Sequence, residues 1–196
     1  MAENRFIKRY KEGTIPWDTG RPDYNLTNHV NDFPILKCRT LEMGCGTGEN
    51  AIWLSKQGFE VTAFDVSEIA IEQAKQKAKK ASVDVNFLVA DFFKDKIADT
   101  PFKFAFDRGV FHSFGEESER SKFAMNVANY LSNKGIWLSL IGSADEKVAV
   151  GPPRRKALDV IKAVEPYFEL IHLKAGHFDS LDKIPHKIWI CLMQKR

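Results

Sequence analysis

The stretch TLEMGCGTGEN, Thr40 to Asn50, sets three glycines between an apolar run and the start of a helical pattern. A backbone without side chains at Gly44, Gly46 and Gly48 can turn sharply and let a ligand lie directly against it. A strand, a glycine turn and a helix also make the opening unit of an open α/β sheet, in which ligands bind beyond the carboxyl ends of the strands. This one segment therefore constrains both the fold and the place of the site.

The rest of the chain continues the alternation. Runs rich in β-branched, aromatic and aliphatic residues at Cys38 to Met43, Phe59 to Asp65, Asp84 to Ala90, Phe102 to Arg108 and Gly135 to Ile141 read as buried strands. Helical patterns lie between them. Glu49 to Gln57 stops at Gly58, and Ser67 caps a segment with an acid in its first turn and lysines in its last. Ser118 to Leu131 and Pro153 to Glu165 supply two more helices. Only a crossover of such length returns the next strand in the same direction, so these strands form a parallel sheet covered on both faces. Tyr167 to Lys174 and His186 to Lys195 lack a helix between them and are expected to pair antiparallel.

The expected architecture is α/β: a doubly wound, mostly parallel, Rossmann-like sheet of seven strands with the last strand antiparallel. Residues 1–34, broken by Gly13, Pro16, Gly20 and Pro22, form a helical cap around the loop PWDTGRPD, with a second helix near Leu26 to Phe33. Residues 35–196 form the core of the same single domain. At 196 residues and 44% hydrophobic content, the chain has enough apolar surface for one substantial core.

A formal charge of +3, spread along the chain, gives no nucleic-acid footprint. Cys38, Cys45 and Cys191 are odd in number and make neither a disulfide framework nor a zinc motif. No run reaches the length of a membrane span or of a signal-peptide core, and the expected compartment is the cytoplasm. The five histidines show no metal-ligand spacing, so no metal is expected. The oligomeric state stays open between a monomer and a weak dimer.

The glycine turn departs from a dinucleotide fingerprint. Counting from Gly44 and Gly46, the third small position of G-x-G-x-x-G is Glu49, a carboxylate where two phosphates would sit. With Glu42 just before the turn, the pocket is acidic and favours a phosphate-free, cationic ligand. S-adenosylmethionine has that chemistry, with S-adenosylhomocysteine as its product. Gly44, Cys45 and Gly46 would offer backbone to its methionine part. Asp65, followed by Val66, closes the second strand where an acid can accept from both ribose hydroxyls. Asp91 can accept from the adenine amine, and Phe92 can pack on the ring.

The chain resembles the class I S-adenosylmethionine-dependent methyltransferases from about Arg39 onward, through LEMGCGTGEN, TAFDVS, VADFF and FDRGVFH. Within them it looks most like the small-molecule branch of thiopurine, thiol and tellurite-resistance methyltransferases, through GTIPWDTGRPD, DRGVFH and GPPR. The resemblance implies that Trp17 and Gly44 line the cofactor, that Asp65 takes its ribose, and that Arg108 contacts it from the end of the fourth strand. Arg21 joins the cofactor set from the same N-terminal loop, where Asp18 and Arg21 either pair with each other or order the loop as a lid.

Methyl transfer is an in-line displacement, and alignment with desolvation supplies much of its acceleration. Trp17 and Phe111 are the aromatic faces available to a cation, although Trp17 serves equally as a core anchor. His112 lies on the rim where an acceptor enters and reads either as a general base or as a packed, hydrogen-bonded ring. Arg154 or Arg155 reads as an anionic-acceptor site or as a solvated helix start, and Lys75 to Lys80 as the wet face of a helix end. The expected reaction is methylation of a small molecule, with thiol ahead of hydroxyl or amine. The alternatives are an RNA, DNA or protein methyltransferase, or an inactive cofactor-binding subunit. Asp107-Arg108-Gly109-Val110 lacks the prolines and aromatic that clamp a flipped base, so no nucleic-acid partner is expected.

Overall fold

The computed structural model describes residues 5–33, 35–99 and 101–196. Seven strands form one sheet: β1 (Arg39–Met43), β2 (Glu60–Asp65), β3 (Asn86–Val89), β4 (Phe102–Arg108), β5 (Leu131–Gly142), β6 (Phe168–His177) and β7 (Lys187–Lys195). Their spatial order is β3-β2-β1-β4-β5-β7-β6. The pairs β1/β2, β2/β3, β1/β4 and β4/β5 are parallel, whereas β7 runs antiparallel to both β5 and β6. The helices are α1 (Arg5–Glu12), α2 (Tyr24–Asp32), α3 (Glu49–Lys56), α4 (Glu68–Ala81), α5 (Glu117–Tyr130) and α6 (Ala157–Val164), with a 3-10 turn at Phe111–Ser113.

The sequence grows outward from β1 to β3 and then returns to β4 on the other side of β1. The crevice between β1 and β4 is therefore the topological switch point, and the glycine turn opens into it. The expected seven-stranded sheet with an antiparallel last strand is what forms. Boundaries move by a few residues: β5 begins at Leu131 rather than Gly135, and α6 begins at Ala157 because Gly151 to Lys156 stay outside the helix. The boundary expected between cap and core at residue 34 falls outside the described residues.

Local signals explain the helix ends. The Ser67 hydroxyl accepts from the Ala70 N–H at 3.3 Å and caps α4. Glu116 and Glu119 make a reciprocal capping box at the start of α5.

Two apolar layers hold the sheet. Phe123, Ala124, Val127 and Val160 of α5 and α6 cover one face, and Leu26, Leu54, Ile71 and Ala74 of α2, α3 and α4 cover the other. β5 alternates between them, with Trp137 and Ile141 in the first layer and Leu138 and Leu140 in the second. On β4 a register irregularity between Phe102 and Phe104 sends these two rings to opposite layers, although strict alternation would keep them on one face. No described helix is long and apolar enough to cross a membrane.

Candidate active site

The turn after β1 has left-handed backbone at Gly44 (φ +63°) and Gly46 (φ +55°), a conformation costly for any other residue type. Space is as restrictive as the dihedral. A Cβ on Gly44 would overlap a methyl of Val110, and one on Gly46 would stand 2.8 Å from the Tyr10 hydroxyl.

Asp65 pins this turn to the end of β2. One carboxylate oxygen accepts from the Gly46 N–H at 3.0 Å and the other from the Ser67 N–H at 2.9 Å. Burial raises its pKa against the effect of those bonds. Val66 follows, half-buried. Cys45 is buried, and its N–H donates to the Phe64 carbonyl at 2.9 Å.

Glu42, next to last in β1, lies beneath the turn at 2% exposure. Its Oε1 accepts from Asn50 Nδ2 at 3.1 Å, while its Oε2 is buried with no protein partner. Burial, partly offset by Asn50, pushes this carboxyl up to about 8. A carboxyl held this way keeps its proton near neutral pH and leaves one oxygen free to exchange a hydrogen bond with a ligand, and a cation bound beside it would favour its ionised form.

Glu49 does not add to that acidity as expected. Its Oε1 receives Lys77 Nζ at 2.6 Å, and the same ammonium reaches Thr47 at 2.8 Å. Lys77 is thus no part of a wet helix face, because its long side chain folds back to a carboxylate on the neighbouring helix.

The loop of residues 13–23 is stitched over the turn. Trp17 Nε1 donates to the Tyr10 hydroxyl at 3.0 Å, and the Trp17 ring packs edge-on against Phe6 and Tyr10. Asp18 accepts from the Thr47 hydroxyl at 2.7 Å, whereas Arg21 pairs with Asp179 at 2.6 Å. Of the two readings for Asp18 and Arg21, a mutual pair or an ordered loop, the mutual pair gives way to two separate ties from the loop to the core. Arg108 also departs from its expected contact. Its Nε donates to Asp23 at 2.7 Å, its Nη2 to the Asp179 carbonyl at 2.5 Å, and its guanidinium lies 4.9 Å from the Phe178 ring centre. It ties the lid down rather than pointing into the turn.

Beyond β3, Asp91 stays partly exposed and accepts from the Phe93 N–H at 3.0 Å. The Lys94 ammonium, hydrogen-bonded at 2.5 Å, holds its carboxyl below the usual range. Phe92 does not meet the expectation of an adenine-packing ring. It stacks on Phe64 at 5.3 Å and on Tyr130 at 5.7 Å, and Phe123 meets it edge-on, so it belongs to the core. Phe111 is likewise fully buried, between Phe123 and Trp137.

His112 is buried at the rim of β4. Its Nδ1 accepts from the Gly142 N–H at 2.8 Å, which fixes the ring proton on Nε2. Burial, reinforced by the charges of Arg155, Arg5 and Arg108, pushes its pKa down to about 3. The ring presents a donor, and the lone pair needed for general-base work is already committed. The base reading of His112 gives way to a packed, hydrogen-bonded imidazole.

Two residues that sequence reasoning passed over organise this rim. Asp107, fully buried, accepts from the N–H groups of Val110 and Phe111 at 3.1 Å each and from Trp137 Nε1 at 3.0 Å. Burial raises its carboxyl to about 6. An acid in the last turn of a strand read as buried was the available signal. Tyr10, which roofs Gly46, had none beyond being aromatic among basic residues.

The residues at the turn fit S-adenosylmethionine. Left-handed backbone at Gly44 and Gly46, an unpartnered carboxyl oxygen on Glu42 and a strand-end acid at Asp65 suit a cationic nucleoside.

Residues 40–135 match the family described as a methyltransferase domain. The chain is 29% identical over 158 residues to probable thiol methyltransferase 2 of Arabidopsis thaliana, covering 78% of this chain and 69% of the relative. To thiocyanate methyltransferase 1 of Brassica oleracea it is 27% identical over 167 residues, covering 84% and 72%. A structure reported for conversion of a disulfide bond into a thioacetal group during echinomycin biosynthesis superposes with a TM-score of 0.85. It is 20% identical, with 97% of this chain and 90% of that one covered. Fold, site and relatives together make the chain a class I S-adenosylmethionine-dependent methyltransferase. Its cofactor is S-adenosylmethionine.

Proposed function

We propose that the enzyme methylates a small-molecule acceptor, a thiol in preference to a hydroxyl or an amine. When bound, the cofactor supplies a sulfonium methyl open to in-line attack by the acceptor. Glu42 and the backbone of Gly44 to Gly46 hold the methionine end, and Asp65 takes the ribose while keeping the turn in register. Asp91 borders the adenine end. Tyr10 and Trp17 roof the site and exclude water, which favours a reaction that disperses charge.

The observation that carries the thiol preference is the committed Nδ1 of His112. Without His112 as a base, the site favours acceptors that ionise unaided near neutral pH, and a thiol does so far more readily than an alcohol. The similarity to plant thiol and thiocyanate methyltransferases supports the same reading. The test is incubation with methyl-labelled cofactor and a panel of thiols, phenols, quinols and amines. Label in small thioethers is expected. Tight cofactor binding with no turnover across the panel would instead indicate a cofactor-holding subunit.

A further inference from the structure

Beside His112 the fold brings two guanidinium groups together with no carboxylate paired to either among the described residues. Arg120, on α5, is 6% exposed, and Arg155, in the segment between β5 and α6, is half-buried. Both converge on one carbonyl. Arg155 Nη2 donates to the Phe114 oxygen at 2.6 Å and Arg120 Nη1 to the same oxygen at 3.2 Å. Their remaining partners are also backbone carbonyls, Gly115 for Arg120 at 2.5 Å and Arg154 for Arg155 at 2.6 Å. Among the described residues no carboxylate stands within ion-pair distance of either. Asp159 acts on Arg155 only through its charge, and one of its oxygens accepts from the Lys156 N–H at 2.9 Å. The Nε of both arginines is buried with no acceptor.

Carbonyl dipoles only partly offset two buried like charges, and an Nε donor without a partner adds a desolvation cost. Burial and the charges of Arg120 and Arg5 all oppose the charge on Arg155. An anion between the two groups would neutralise both and accept from the idle Nε donors in the forked geometry that guanidinium groups favour.

The place is as informative as the charge. The Arg155 N–H donates to the Gly142 carbonyl at 2.8 Å, and the Gly142 N–H donates to His112 at 2.8 Å. Arg155 therefore belongs to the loop after β5, and Arg120, in the first turns of α5, is tied to the loop after β4 through the Phe114 and Gly115 carbonyls, on the acceptor side of the crevice.

We propose that Arg120 and Arg155 form a subsite for an anionic group of the methyl acceptor, a carboxylate or similar small anion carried apart from the methylated atom. This rests on the small-molecule acceptor reading above. The substrate class is then a nucleophile, a thiol foremost, bearing a negative charge a few bonds away.

Mercaptoacetate and 2-mercaptoethanol, similar in size but different in charge, are titrated calorimetrically into protein saturated with S-adenosylhomocysteine. Methylation of each is measured in parallel. Binding of mercaptoacetate at least tenfold tighter is expected, with that preference falling at least tenfold in Arg155→Gln and partly restored in Arg155→Lys. Affinity for S-adenosylhomocysteine reports that each variant is folded, and Arg155→Gln spares the more deeply buried Arg120. Equal affinity for the two thiols, or a preference that survives Arg155→Gln, overturns the subsite. Charge-selective binding without methylation of either thiol supports the subsite and counts against the thiol acceptor. Methylation of both without charge selectivity does the reverse.

Discussion

Arg108 Nε donates to Asp23 Oδ2 at 2.7 Å, joining the last residue of β4 to the N-cap of α2 across 85 positions of sequence. Both side chains are largely withdrawn from water, at 15% and 1% exposure. The same Asp23 caps α2 through the Asn25 N–H at 2.8 Å, so one carboxylate starts the lid helix and fixes it over the crevice.

Replacing Asp23 by Asn leaves Arg108 without its charged partner. Breaking a buried pair from one side costs about 3 kcal/mol, here at the low end because the Trp17 and Asp179 carbonyls remain as acceptors. Limited proteolysis between residues 13 and 22 should speed up before global unfolding does. A cleavage rate equal to that of the native sequence would show that the pair does not restrain the lid.

Asp65→Ala removes two turn contacts along with the proposed ribose acceptor. Affinity for S-adenosylhomocysteine should weaken by about 1 to 3 kcal/mol, the usual loss for hydrogen bonds to a charged group. Titration calorimetry reads this directly, and unchanged affinity would take Asp65 out of the site.

Glu42 carries a pH signature. Its carboxyl titrates near 8 in the fold against an ordinary 4.5, so the native state keeps a proton that the unfolded chain has released. The protein without cofactor should therefore lose stability as pH rises from 4.5 to 8, with a slope of at most about 1.4 kcal/mol per pH unit from this group. Asp107, raised to about 6, acts with the same sign below that pH. His112, lowered to about 3, acts with the opposite sign below 6.5. Above pH 6.5 the Glu42 contribution stands alone among these three. Urea unfolding between pH 6.5 and 8 should slope downward for the native sequence and flatten in Glu42→Gln, and equal slopes would assign the effect elsewhere.

His112→Asn should be tolerated and His112→Leu should not. An Asn oxygen can replace Nδ1 as acceptor for the Gly142 N–H, whereas Leu leaves that buried donor unpaired at a cost of about 1 to 3 kcal/mol. Thiol methylation in the Asn variant should keep a pH profile set by ionisation of the thiol. A profile that loses a group titrating near 6.5 would restore His112 as a base.

The chain's local chemistry announced the alternation of strands and helices, the glycine turn and the acids closing β1 to β3. Each depends on a short-range rule: residue periodicity, the left-handed dihedrals open to glycine, or the direction in which a strand end points. The same rules placed Glu42, Gly44, Gly46 and Asp65 around one crevice. They went wrong where a side chain had a choice of partner. Phe92 looked available at the end of β3 but was taken by Phe64, Phe123 and Tyr130, three rings from separate segments.

What the sequence determined by itself was the backbone of the site and the strand-end place of Glu42, because both follow from residues within about ten positions of one another. Only the tertiary structure decided that Arg21 pairs with Asp179 across 158 residues, that Lys77 neutralises Glu49, and that His112 gives its lone pair to Gly142. Those outcomes rest on distance and burial between segments remote in sequence. A charge or lone pair goes to whichever group packing brings within about 3 Å, and no local pattern records that.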